Sequence, residues 1–144
     1  IAAGALGDLY FARASMVRRL GIPTWGHFTN PALQGGGCLI DLGTHAIDLA
    51  LWLMDDWTPA YCVGSCFQKR SDQPTAANRW GVWESASFHV EDAAFGQVVM
   101  KSGAVLSIDT SWALHVPADR EDHLLLRHSG RRGVDSDRLQ PQRR

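Results

Sequence analysis

The sequence has no surplus of either charge. Fourteen Lys and Arg against fifteen Asp and Glu leave a formal net charge of -1, which argues against the broad basic field of a nucleic-acid binder and against a disordered chain. Long hydrophobic runs are missing too: Asp or His interrupts each before membrane-spanning length, and the opening IAAGALGDLY lacks the charged and apolar regions of a secretory signal. Neither nucleic acid nor a membrane is expected as a partner. Cysteine is scarce. Cys38, Cys62 and Cys66 cannot all pair within one chain, so free thiols in a reducing compartment are the simplest reading, and a cytoplasmic location is expected. There is no GxGxxG and no GxxxxGK[ST], so the chain is not expected to cradle nucleotide phosphates by itself. No HExxH-like pairing or internal repeat occurs.

What is present suits one globular domain: 144 residues, of which 45% are hydrophobic, suffice for a core of their own. Both ends look unnatural. The chain opens at Ile1, without an initiator Met, in what reads as a strand already under way, so a beginning is expected to be missing. At the other end RHSGRRGVDSDRLQPQRR holds six of the fourteen basic residues and no aromatic one. Without aromatic interleaving it reads as a solvated tail rather than a nucleic-acid arm. The domain is placed at residues 1–118, and 119–144 as an irregular Arg-rich tail of the kind a shifted reading frame produces.

Residues 5–19 alternate and are rich in β-formers, which predicts a first strand. The following GIPTWGHFTNPALQGGG is a loop too long for a mere turn. Long loops in compact domains are often functional, so Arg18, Arg19, Trp25, His27 and Phe28 are candidates for lining a ligand pocket. Equally, Trp25 and Phe28 could simply pin the loop to the core. PAYCVGSCF, residues 59–67, reads as a strand with Cys62 and Cys66 in the core, and KRSDQPTAANRWG as a polar loop. Two β-rich runs flank Lys101-Ser102-Gly103, the mark of a hairpin. On its second arm Leu106, Ile108, Thr110 and Trp112 share one face, and Val105, Ser107, Asp109 and Ser111 the other. HLLLRHS offers a further strand. The fold class expected is α+β, a mainly antiparallel sheet with one principal helix packed on it.

That helix lies in GGGCLIDLGTHAIDLALWLM, residues 35–54. If helical from about Asp41 to Asp55, it places positions 41, 45, 48 and 55 within an arc of roughly 80° while nearly everything else is apolar. A helix apolar over most of its circumference is buried, so its polar stripe should face a cleft or a partner domain. Asp41 and His45 suit acid/base work, because a carboxylate can orient an imidazole that titrates near neutral pH. Two other readings stay open: Asp41 caps the helix while His45 is a satisfied core residue, or the two are part of a metal site that lacks a third ligand. Asp48 reads as structural, as do Glu91 and Asp92.

In order and spacing, RRLGIPTWGHF, GGGCLIDLGTHAIDLALWLM and VEDAAFGQVVMKSGAVLSIDTSWA resemble the C-terminal domain of the Gfo/Idh/MocA oxidoreductases, the family of glucose-fructose oxidoreductase and inositol dehydrogenase. The resemblance covers roughly residues 4–116. It implies an N-terminal Rossmann domain, absent from this sequence, that binds NAD or NADP and carries a catalytic lysine in a Glu-Lys-Pro tripeptide. It places Asp41 and His45 on the family's catalytic positions: His45 would take the proton from a substrate hydroxyl while hydride leaves the same carbon, and Asp41 would orient His45 or bind substrate. Arg19, Trp25 and His27 become expected contacts to a sugar or polyol. The sheet's outer face becomes an expected homo-oligomer interface, with Trp112 and its neighbours part of it. Asp55 stands where relatives often end the helix with Gly. With half of the active site missing, the chain alone is expected to turn over nothing. The alternative is a non-catalytic sheet domain acting in self-association or ligand binding.

Overall fold

A computed structural model describes residues 7–128. Five strands and one principal helix form two layers: β1 (Asp8–Val17), α1 (Pro31–Gln34), α2 (Thr44–Met54), β2 (Pro59–Phe67), β3 (Ala93–Met100), β4 (Val105–Ser111) and β5 (Arg120–His128). The sheet order is β2-β3-β4-β1-β5. Three of its pairings are antiparallel, and β1 runs parallel to β4. The parallel pair follows from the path of the chain. After β1 the polypeptide crosses one face as the helix, enters at the far edge as β2, and folds back through β3 and β4 to β1.

Small residues bring helix and sheet together. Ala46 and Ala50 of α2 and Ala12 and Ala14 of β1 are buried in one cluster with Leu106, Met54 and Met100. Side chains that end at Cβ let the helix axis approach the strand closely. The segment from Pro31 to Met54 is long and apolar enough to cross a membrane on length and composition alone; here part of that apolarity is spent against the sheet. A second cluster gathers Trp112, Phe88, Trp83, Ile22, Cys38 and Leu42 beneath the start of the helix.

Several expectations change. The helix starts before Asp41, at a π-helical turn over Leu39–Gly43 that runs directly into α2. It is also less buried than its composition implies: Ile40, Leu49 and Trp52 are exposed. Asp55 ends α2 in the left-handed region at φ 52°, a conformation in which Gly carries no Cβ penalty and Asp is tolerated. Cys62 and Cys66 are exposed rather than buried, because β2 is the edge strand and the helix stops short of covering it. An open apolar groove of about 360 Å³, lined by Leu39, Ile40, Ile47, Cys62, Cys66 and Val98 among others, separates the two. Trp112 is fully buried, so it belongs to the core and not to an outer interface. Residues 120–128 pair with β1 along their length, so the sheet extends past the boundary expected at 118. The tail from 129 onward lies outside the described residues.

Candidate active site

The helix that carries Asp41 and His45 is fastened at its start by Glu91, two residues before β3 begins. The Glu91 carbonyl accepts the Cys38 N–H at 3.1 Å, and its carboxylate accepts the N–H groups of Gly37 at 2.8 Å and Leu39 at 3.0 Å. These are amides that a helix start leaves without intrahelical partners, and an anion there also suits the helix dipole. Contact this close requires glycine: a Cβ on residue 37 would lie 1.9 Å from the Glu91 carbonyl oxygen. Glu91, not Asp41, therefore caps the helix. The Asp41 N–H is already inside, bonded to the Gly37 carbonyl at 2.9 Å. Asp92 is structural as well, its buried carboxylate accepting the N–H groups of Lys69 and Arg70 at 2.7 and 2.6 Å. Burial pushes its acidity toward higher pH, against the opposing effect of those two amides.

Relieved of capping, the Asp41 side chain turns toward the sheet. Its Oδ2 accepts a hydrogen bond from the Trp112 indole N–H at 2.7 Å. Arg18 Nη1 lies 3.8 Å from the same oxygen, with the two side chains 18% and 25% exposed for Asp41 and Arg18 respectively. The carboxylate is thus mostly enclosed and held through one oxygen. His45, one turn on, is exposed on the outward face of α2 with Asp48, Leu49 and Trp52. The reading of His45 as a satisfied core residue does not hold. Asp41 lies within the π-helical turn and His45 just beyond it, and such turns recur at functional sites.

The loop after β1 brings some of the remaining candidates into line and leaves others outside. Trp25 is 51% exposed and packs edge-on against Phe28 at 5.7 Å and Trp80 at 4.8 Å between ring centroids. Phe28 is half-buried against the second core cluster. His27 is exposed. Arg19 is exposed and contributes its backbone N–H to Asp119 at 2.7 Å; it is Arg18, not Arg19, that reaches Asp41. Trp112, Trp80 and Glu91 were not legible as site residues, since the partners that tie them to the site, Asp41, Arg18 and Gly37 respectively, are remote in sequence and no local spacing announces them. No three His, Cys, Asp or Glu side chains among the described residues are grouped as metal ligands would be. Nor does the start of the helix offer a dinucleotide-phosphate cradle, because the Glu91 carboxylate fills it.

Residues 1–130 match the GFO/IDH/MocA C-terminal domain. The chain is similar to D-glucoside 3-dehydrogenase of Escherichia coli (strain K12), 39% identical over 113 residues that make up 78% of this chain and 32% of the relative. It also resembles a putative UDP-kanosamine synthase oxidoreductase subunit of Amycolatopsis mediterranei (strain S699), 31% identical over 79% of this chain and 33% of the relative. Levoglucosan dehydrogenase, solved in complex with NADH and levoglucosan, shares the fold with a TM-score of 0.67 at 17% identity, over 86% of this chain and 32% of that one. The chain spans about a third of the length of each of these proteins. With nearly the whole described region matched, the chain belongs to the Gfo/Idh/MocA family of oxidoreductases and carries its C-terminal domain.

Proposed function

We propose that the chain is the substrate-side domain of an NAD- or NADP-dependent oxidoreductase that converts a hydroxyl of a sugar, polyol or related compound to a carbonyl. The observation that carries this reading is an enclosed, anchored carboxylate, Asp41, one helical turn before an exposed imidazole, His45, at one end of a helix whose outward face also bears Leu49 and Trp52. Apolar side chains beside a polar stripe are what a face docked on another domain requires. The nicotinamide, when bound, accepts the hydride from the carbinol carbon; a nucleotide-binding domain outside this chain is proposed to hold it. Loss of that hydride makes the hydroxyl proton strongly acidic, and His45 takes it, leaving a carbonyl on the substrate and an imidazolium on the helix. Asp41 holds the charge of the site close to that imidazolium, or receives a substrate hydroxyl on its free oxygen. Trp25, exposed and packed edge-on against Trp80, is proposed to offer an apolar ring face to the C–H surface of a sugar, and His27 and Arg19 polar contacts at its margin.

The test is a graft. Exchanged for the matching third of the E. coli D-glucoside 3-dehydrogenase, the chain should support reduction of the nicotinamide by a glucoside, followed by absorbance. His45→Ala in that graft should lower kcat by about 10²-fold or more. Turnover near the parent value in the variant would remove His45 from the chemistry.

A second proposal concerns assembly. Tyr61, Val63, Phe67 and Phe95 are exposed on the outer face of the sheet, where β2 and β3 pair in register. An apolar patch of this kind on an edge pair supports self-association through the sheet.

A further inference from the structure

We propose that Trp80, in the loop between β2 and β3, is a positioning residue for Asp41 and acts through Arg18. The proposal rests on reading Asp41 as part of the active site. Trp80 is set in place by Asn78, which is 4% exposed. The Asn78 side chain accepts the Ile22 N–H at 2.9 Å and donates to the carbonyls of Ile22 at 2.9 Å and Gly81 at 2.7 Å. The two hydrogen bonds with Ile22 thus pin the loop to the segment that follows β1, and the third, to Gly81, closes the turn that carries Trp80. On that footing the Arg18 guanidinium lies over the Trp80 ring at 5.1 Å from its centroid, and Arg79 lies over the same ring at 5.4 Å. Arg18 Nη1 is further held by the Gly21 carbonyl at 3.2 Å.

Gly21 is the seat of the arrangement. Its N–H donates to the Trp112 carbonyl at 2.7 Å, and a Cβ on it would come within 2.7 Å of Arg18 Cδ and 3.3 Å of the Trp80 ring. A planar cation laid on an aromatic face loses much of its rotational freedom, and its charge stays available in the plane of the guanidinium. Here Nη1 of that guanidinium lies 3.8 Å from Asp41 Oδ2, which Trp112 holds through its indole N–H. Trp80, Arg18, Asp41 and Trp112 therefore form one line of contacts drawn from four separate parts of the chain. A role of this kind differs from core packing, because Trp80 is only half-buried and its ring meets charge.

The full 144-residue chain suffices for the test, by NMR of the Arg18 Nε–H and the Trp indole N–H groups. In Trp80→Leu the Arg18 Nε–H should lose its ring-current shift and exchange with water about fivefold faster, the loss of roughly 1 kcal/mol of cation–π attraction. Trp80→Phe should restore most of both. Asp41→Asn should free Arg18 to a smaller extent and leave the Asn78 amide signals in place. Gly21→Ala should displace Arg18 without removing any partner. If Trp80→Leu instead moves the Asn78 and Ile22 signals and leaves Arg18 exchange unchanged, or if Phe does not rescue, Trp80 is a packing residue and the proposal fails. These signals do not depend on turnover, so a graft that is inactive without any of these substitutions, in a chain where Trp80→Leu still releases Arg18, would count against the role of Asp41 and not against the coupling.

Discussion

Cys38 and its two fellow cysteines show how far one residue type is governed by its surroundings. Cys38 is fully enclosed, with its Sγ 3.7 Å from the Thr110 carbonyl oxygen, and burial pushes its thiol up to about 12 from an ordinary 9.0. A thiol held protonated is a poor nucleophile. At pH 8 a disulfide reagent should therefore titrate two of the three thiols in the native chain and the third only after denaturation. Labelling of all three at one rate in the folded protein would contradict the enclosure of Cys38. The same shift sets a dependence on pH. The folded state keeps the proton more tightly than the unfolded one, so this contribution to stability is complete below about pH 9 and drains away as pH rises toward about 12. Alternation in the sequence put Cys62 and Cys66 on one face of a strand, and that is so. Whether the face would be covered depended on where the strand lies in the sheet, which alternation does not encode.

At the scale of the element, the start of the helix carries the largest local dependence. Glu91→Ala would leave the amides of Gly37 and Leu39 without their carboxylate partner. Charge-assisted bonds to partly buried donors are worth more than neutral ones, so the variant should lose about 3 kcal/mol. In urea the midpoint should fall while the slope stays constant; a loss under about 0.5 kcal/mol would mean that water replaces the carboxylate without penalty. The existence of the helix was legible in its apolar composition and in the glycines before it. Its capping was not, because the cap comes from across the fold. Reading Asp41 as the N-cap followed the usual preference for a short acidic side chain at a helix start, but Glu91 occupies those amides and Asp41 is left for Trp112. The strands were more legible. The run from 59 to 67 and the hairpin around Lys101-Ser102-Gly103 fell where β-rich segments meet glycine, and both were found there.

For the whole molecule, the outer face of the sheet sets behaviour in solution. Tyr61 and Val63 are 62% and 65% exposed, and they lie beside Val99 and Gln97 in the ladder. If this face binds a second copy, sedimentation should show a concentration-dependent dimer that Val63→Lys converts to monomer, since the charge would have to be buried against an apolar surface. A chain that stays monomeric at the highest attainable concentration would exclude the interface. The variant leaves the helix face untouched, so its fold should persist by circular dichroism.

The sequence by itself determined the class of fold, the family and the two residues on which the chemistry is proposed to turn, because periodicity and motif spacing are local and survive without coordinates. It also carried the glycines at 35–37, whose need became plain only when Glu91 was found against Gly37. Tertiary structure decided the rest. Which carboxylate caps the helix, which arginine reaches Asp41, and which tryptophan is core or surface all depend on contacts between segments well separated along the chain, from Arg18 and Asp41 to Asp41 and Trp112. Such contacts are fixed by sheet order and the depth of helix packing, and no spacing along the chain records either.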